Sequence, residues 1–150
     1  MAVMRTLLLL VCMFTLGNTT AEKCPFGWTP FGEQCYRFFS QQVNWVTAEK
    51  NCLSLDANLA SVHSKADNDF LLSLLSVSGR SWVGGSDGVQ DGQWLWSDGT
   101  TFDYTNWCSI EPNNNGGSEN CLEINWTGNH CWNDITCSAS MGYICAKGLD

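Results

Sequence analysis

The sequence predicts an α+β domain stapled by disulfides. Three observations carry this: cysteines that follow a short apolar leader, two early stretches with helical spacing, and a second half of short apolar runs separated by turn residues.

The leader comes first. Arg5 gives a positive start, Leu7 to Leu16 is almost wholly apolar, and Thr19-Thr20-Ala21 precedes the charged pair Glu22-Lys23. An apolar stretch this short, ending at small residues, fits a cleavable export signal better than a membrane anchor. Residues 1–21 are therefore expected to be a signal peptide and 22–150 a single secreted domain. No later stretch is long and apolar enough for membrane insertion. Loss of Arg5 leaves 6 of the 7 Lys+Arg against 15 Asp+Glu, a net charge of −9. Nucleic acid needs clustered cations to displace its counterions, so it is excluded as a partner. A chain that holds a cation would suit this charge.

Nine cysteines are present and Cys12 falls in the leader. The others are Cys24, Cys35, Cys52, Cys108, Cys121, Cys131, Cys137 and Cys145. An even number in an exported chain implies four disulfides and no free thiol. Spacing alone does not choose the pairing. With no Cys-x-x-Cys pair and only His63 and His130, zinc is a poor alternative.

The elements follow in order. Gly27-Trp28 and Tyr36 to Phe39 suggest a strand pair with Gly32 in its turn. From Asn44 to Leu55 the apolar positions Trp45, Ala48, Cys52 and Leu55 recur every three or four residues, so a helix with one buried face is expected. A second helix should start at Ser64, whose hydroxyl can cap the first turn, with Asp67 and Asp69 at its positive end. Phe70, Leu71, Leu74 and Leu75 would form its apolar stripe, and Gly79 its stop. Ser81 to Gly84, Trp94 to Trp96, Leu122 to Ile124 and Tyr143 to Cys145 then read as strands. Most of the eight tryptophans should fill the core. Trp107, Trp126 and Trp132 lie nearest the long irregular stretch from Thr100 to Asn120.

Two segments carry chemistry. Glu111-Pro112-Asn113 leads through an Asn- and Gly-rich run to Glu119-Asn120-Cys121, and Trp132-Asn133-Asp134 follows. Together they offer carboxylates at Glu111, Glu119 and Asp134 and amide oxygens at Asn113 and Asn133. Calcium is a hard cation that takes roughly six to eight oxygens of these kinds. A cis bond before Pro112 would let Glu111 and Asn113 aim at one centre. Either segment alone reads as a polar loop; the pair, in an exported cysteine-rich domain, points to an ion.

At this point the residues meet a known family. Trp82-Val83-Gly84-Gly85, the Glu-Pro-Asn triplet at 111–113, Glu119, Cys121, the Trp-Asn-Asp triplet at 132–134, Cys137 and Cys145 resemble the C-type lectin domain over essentially all of residues 24–145. The resemblance implies a C-type lectin-like fold, with two helices, short antiparallel sheets and a long calcium-binding loop region. It implies the bridges Cys52–Cys145 and Cys121–Cys137, Cys24–Cys35 at the N-terminus, and Cys108–Cys131. The last is similar to an extra bridge in the fish lectin-like group that includes type II antifreeze proteins. Further, it implies that Glu111, Asn113, Glu119, Asn133 and Asp134 bind one Ca2+ and the sugar on it. Glu-Pro-Asn resembles the mannose-favouring subgroup, whereas Gln-Pro-Asp marks the galactose-favouring one. Asn114 and Asn120 stand where relatives with an auxiliary calcium carry aspartates, so no tight second ion is expected.

The expected function is therefore calcium-dependent binding of carbohydrate, of mannose type, as on microbial surfaces, and no enzymatic reaction. The alternative is an ice-binding or protein-binding module on the same fold. Asn125-Trp126-Thr127 matches the glycosylation sequon. No heptad or collagen segment and no spare cysteine points to an oligomer.

Overall fold

The computed structural model describes residues 23–76 and 79–149. The expected signal peptide lies outside them.

Strands β1 (Thr29–Phe31) and β2 (Gln34–Val43) form an antiparallel hairpin. Its turn places Gly32 at φ 57°, a conformation that costs glycine little. Helix α1 (Trp45–Leu53) begins where Asn44 accepts a hydrogen bond from the Thr47 N–H, at 2.9 Å. Ala48 and Cys52 are its buried face. The expected helix ran on to Leu55, but that residue lies outside it and is exposed. Asp56 turns left-handed at φ 57° and the Ala57 N–H returns to the Cys52 carbonyl, which closes the helix early.

Strand β3 (Asn58–Leu59) leads to α2 (Lys65–Ser73), capped by Ser64 as the sequence predicts. The helix stops well short of Gly79. Leu74 and Leu75 bond three residues back, to Leu71 and Leu72, and this tighter turn ends it. Leu71 is fully buried, while Phe70, Leu74 and Leu75 pack partly buried against the core.

The remaining strands are β4 (Ser81–Ser86), β5 (Leu95–Trp96), β6 (Cys121–Ile124), β7 (Asn133–Ile135) and β8 (Met141–Gly148). All eight join in one sheet of order β1-β2-β8-β4-β6-β7, with β3 on β8 and β5 on β4. The pairings are antiparallel except β4 with β8, which run parallel. The short antiparallel sheets expected from sequence are thus one continuous sheet.

Trp82, Trp132, Leu122, Ile124 and Ile144 are fully buried at its centre. Gly85 has no room for a side chain. A Cβ there would lie 2.7 Å from Leu122 Cδ1, because Leu122 already fills the space. The four disulfides are Cys24–Cys35, Cys52–Cys145, Cys108–Cys131 and Cys121–Cys137, the pairs the resemblance implies. Cys52–Cys145 ties α1 to β8. Cys108–Cys131 and Cys121–Cys137 anchor both ends of the 108–121 loop against the 131–137 segment, so the two polar segments share one end of the sheet.

Candidate functional site

The loop from 100 to 120 has little regular structure beyond a short 3-10 turn, Asn115–Gly117. It is nonetheless tied down. The Cys108 N–H donates to the Trp132 carbonyl and the Trp132 N–H to the Asn106 carbonyl, each at 2.8 Å. The Trp132 ring is fully buried, its Nε1 donating to the Asn68 Oδ1, so it faces no ligand. Trp107 packs edge-on against it.

The Glu111–Pro112 bond is cis, and Glu111 and Asn113 meet. Asn113 Nδ2 donates to Glu111 Oε1 and its backbone N–H to Glu111 Oε2, both at 3.1 Å. Asp134 arrives from β7. Its two oxygens accept the Asn113 and Asn114 N–H groups, at 3.1 and 2.7 Å. Glu119 closes the circle, its Oε1 accepting the Asn115 N–H at 2.8 Å. Four of the five expected ligands, Glu111, Asn113, Glu119 and Asp134, are therefore gathered around one short turn.

Asn133, the fifth, sits beside Asp134 on β7 and is buried. Its Nδ2 donates to Glu123 Oε1 at 2.8 Å. Asn133 and Asp134 lie on a strand paired with β6, Asn133 opposite Glu123.

The electrostatics follow from this crowding. Burial, then the neighbouring Asp134 and Glu119 carboxylates, push Glu111 up to about 7. Glu119 is also raised, by burial first and then by Asp134 and Glu123. Like charges drawn this close favour either a proton or a cation between them. The donor set fits calcium, since three carboxylates and two amides are oxygen donors of the kind a hard cation takes. Among the described residues, no three acidic, His or Cys side chains form a closed metal-ligating group. The carboxylates instead accept the loop's own N–H groups, and an ion would take their place at those oxygens.

Next to this turn, Asn114 Nδ2 donates to both oxygens of Asp91, at 3.1 Å. Asn114 Oδ1 in turn accepts the Glu119 N–H. An amide thus occupies Asp91 at the position where an auxiliary ion would need another carboxylate. Asp87 lies below, buried, and burial raises its carboxyl.

Asn125 of the sequon is only 7% exposed. Its Nδ2 donates to the Gly79 carbonyl at 2.6 Å, and its Oδ1 meets His130 Nδ1 at 2.6 Å. The nitrogen a glycan would need is committed to the fold.

His63 stands between Asp103, 2.7 Å from its Nδ1, and Ser61, 3.0 Å from its Nε2. A hydrolase would need such a pair. Here the buried Ser61 hydroxyl donates to Asp98 at 2.5 Å, so its proton is directed away from the imidazole.

Sequence reasoning missed Arg80 and Glu123, which hold Asn133, and Asp91, which holds Asn114. The available signal was a charged residue inside the apolar strand Leu122-Glu123-Ile124, one turn from the proposed ligands.

Residues 41–147 match the model of the Lectin C-type domain. Ladderlectin of Oncorhynchus mykiss is 50% identical over 123 residues, 79% of this chain and 65% of ladderlectin, so the match spans under two thirds of that relative. The galactose-specific lectin nattectin of Thalassophryne nattereri is 35% identical over 150 residues, covering 95% of this chain and 94% of nattectin. Among solved structures, the herring type II antifreeze protein superposes with a TM-score of 0.81 at 37% identity, covering 85% of this chain and all of that one. Fold, bridges and sequence agree: the chain belongs to the C-type lectin domain family.

Proposed function

We propose that the protein is a secreted, calcium-dependent lectin that binds mannose-type glycans, such as those of microbial surfaces, through Glu111, Asn113, Glu119, Asn133 and Asp134. The observation that carries this reading is the gathering of Glu111, Asn113, Glu119 and Asp134 around one turn, with Glu111 raised by burial and then by its acidic neighbours.

Bound calcium would supply a Lewis-acidic centre for two adjacent sugar hydroxyls. The chain's own groups provide the selection. Each hydroxyl can donate to a carboxylate, Glu111 or Glu119, and accept from an amide, Asn113 or Asn133. Glu111 before Pro112 and Asn113 after it fix the order of acceptor and donor. That order suits the equatorial 3- and 4-hydroxyls of mannose or N-acetylglucosamine. One shallow site binds a monosaccharide weakly, so useful avidity requires several sites at once.

The test is retention of the refolded mature protein on mannose resin with calcium, followed by elution with chelator. Retention lost with chelator, and competed better by mannose than by galactose, supports the reading. Calcium binding without retention rejects the mannose assignment.

Ice or protein binding on the same fold is the second reading, favoured by the herring antifreeze likeness and the Cys108–Cys131 bridge. Thermal hysteresis in dilute solution, unaffected by mannose, would select it.

A further inference from the structure

We infer that Glu123 and Arg80 are positioning residues for the ion site, because they dictate which atom of the Asn133 amide can face it. This rests on the calcium reading above, yet its support is separate: a chain of contacts running from the surface through the sheet.

Glu123 lies on β6 with its side chain fully buried. It accepts a two-pronged contact from Arg80, Nε to Oε2 and Nη2 to Oε1, each at 2.6 Å. That fork matches a carboxylate in geometry and charge. The Arg80 guanidinium also lies over the Trp126 ring, 4.5 Å from its centroid, which backs it on the solvent side. Arg80 therefore fixes Glu123 in direction, with both carboxylate oxygens accepting from the guanidinium. The remaining contact of Glu123 is the Asn133 amide, 2.8 Å from Oε1.

With both oxygens accepting from Arg80, Glu123 meets Asn133 as a hydrogen-bond acceptor. Asn133 must therefore present its NH2 to Glu123, and its carbonyl Oδ1 is forced to the opposite branch. Among the described residues Oδ1 has no hydrogen-bond partner. Asparagine is otherwise free to turn its amide over, and half of those orientations would offer an NH2 to the ion. Glu123 removes that freedom, and Arg80 is what allows a bare carboxylate to be buried there. An unpaired buried charge would be costly.

Two substitutions separate this from a plain structural ion pair. Glu123→Gln keeps the shape, but its own NH2 can now face Asn133. The amide then turns its oxygen to Gln and its NH2 to the ion. Calcium affinity, read by calorimetry, should fall by about 10- to 100-fold, the usual cost of disturbing a group that orients a metal ligand. Adding Asn133→Asp in that background should restore most of it, since aspartate carries oxygen on both branches. Asn133→Asp alone should weaken calcium binding despite its added negative charge, because one oxygen meets Glu123.

Melting in chelator reports whether each variant folds. If Glu123→Gln does not fold, Asn133→Asp alone decides. The inference is overturned if Glu123→Gln binds calcium like the parent, or if Asn133→Asp alone binds it more tightly. Should the parent bind no calcium, the lectin reading itself fails.

Discussion

Calcium affinity should fall about tenfold between about pH 8 and about pH 6, and Glu111 sets that number. In the ion-free fold its carboxyl stands at about 7, against an ordinary 4.5. Only the ionised form can serve calcium. With a midpoint near 7, about 91% of Glu111 is ionised at pH 8 and about 9% at pH 6, which gives the tenfold ratio. Glu119, raised in the same direction, steepens the dependence. Titration calorimetry at the two pH values measures the ratio directly. Repeating it near pH 7 in buffers of different ionisation heat counts the protons released. Affinities that agree within twofold, with no buffer-dependent heat, would refute the placing of Glu111 in the ion site.

The stability of the ion-free fold runs the opposite way with pH. Because the Glu111 carboxyl is raised, the ion-free fold holds a proton that the unfolded chain loses between about 4.5 and about 7. Its stability must therefore decline as pH rises through that window. Calcium should reverse the loss above it, through preferential binding to the folded state. Melting curves with and without calcium at both ends of the window should diverge only at the upper end.

Exchanging Glu111→Gln together with Asn113→Asp reverses donor and acceptor across Pro112. Competition should then favour galactose over mannose, and an unchanged order with calcium still bound would reject those roles. The secreted protein should carry no glycan at Asn125, whose amide nitrogen is held 2.6 Å from the Gly79 carbonyl. A mass shift on glycosidase treatment, absent from Asn125→Gln, would contradict that. Gly85→Leu should cost about 1–3 kcal/mol by overpacking against Leu122. Urea unfolding measures it, and an unchanged midpoint would mean that Leu122 moves aside freely.

Much of this architecture was legible in the sequence because its signals are local. Asn44 and Ser64 sit one residue before helical patterns, and both cap as such residues do. The apolar strands around Trp82, Leu122 and Ile144 were readable because each is buried as a run. Strands β3 and β7 were not, since Asn58-Leu59 and Asn133-Asp134-Ile135 owe their pairing to neighbours rather than to their own pattern. The second helix was read too long because Leu74 and Leu75 suit a helix face, while their final hydrogen bonds form a tighter turn.

The candidate site divides in the same way. Its oxygen donors lie in two recognisable triplets and could be named at once. What holds them could not. Arg80 and Glu123 are 43 residues apart, and Asp91 and Asn114 are 23 apart. Only the sheet brings those partners together, through the pairing of β4 with β6 and β6 with β7. Burial likewise decides that the Asn125 sequon is sterically committed, which three letters of sequence cannot reveal.

The most direct test of the central claim is a crystal structure of the protein grown with calcium and soaked with methyl α-mannoside. One ion is expected, ligated by Glu111, Asn113, Glu119, Asn133 and Asp134, with two adjacent sugar hydroxyls on it. An ion elsewhere, or a sugar bound away from these five residues, would contradict it.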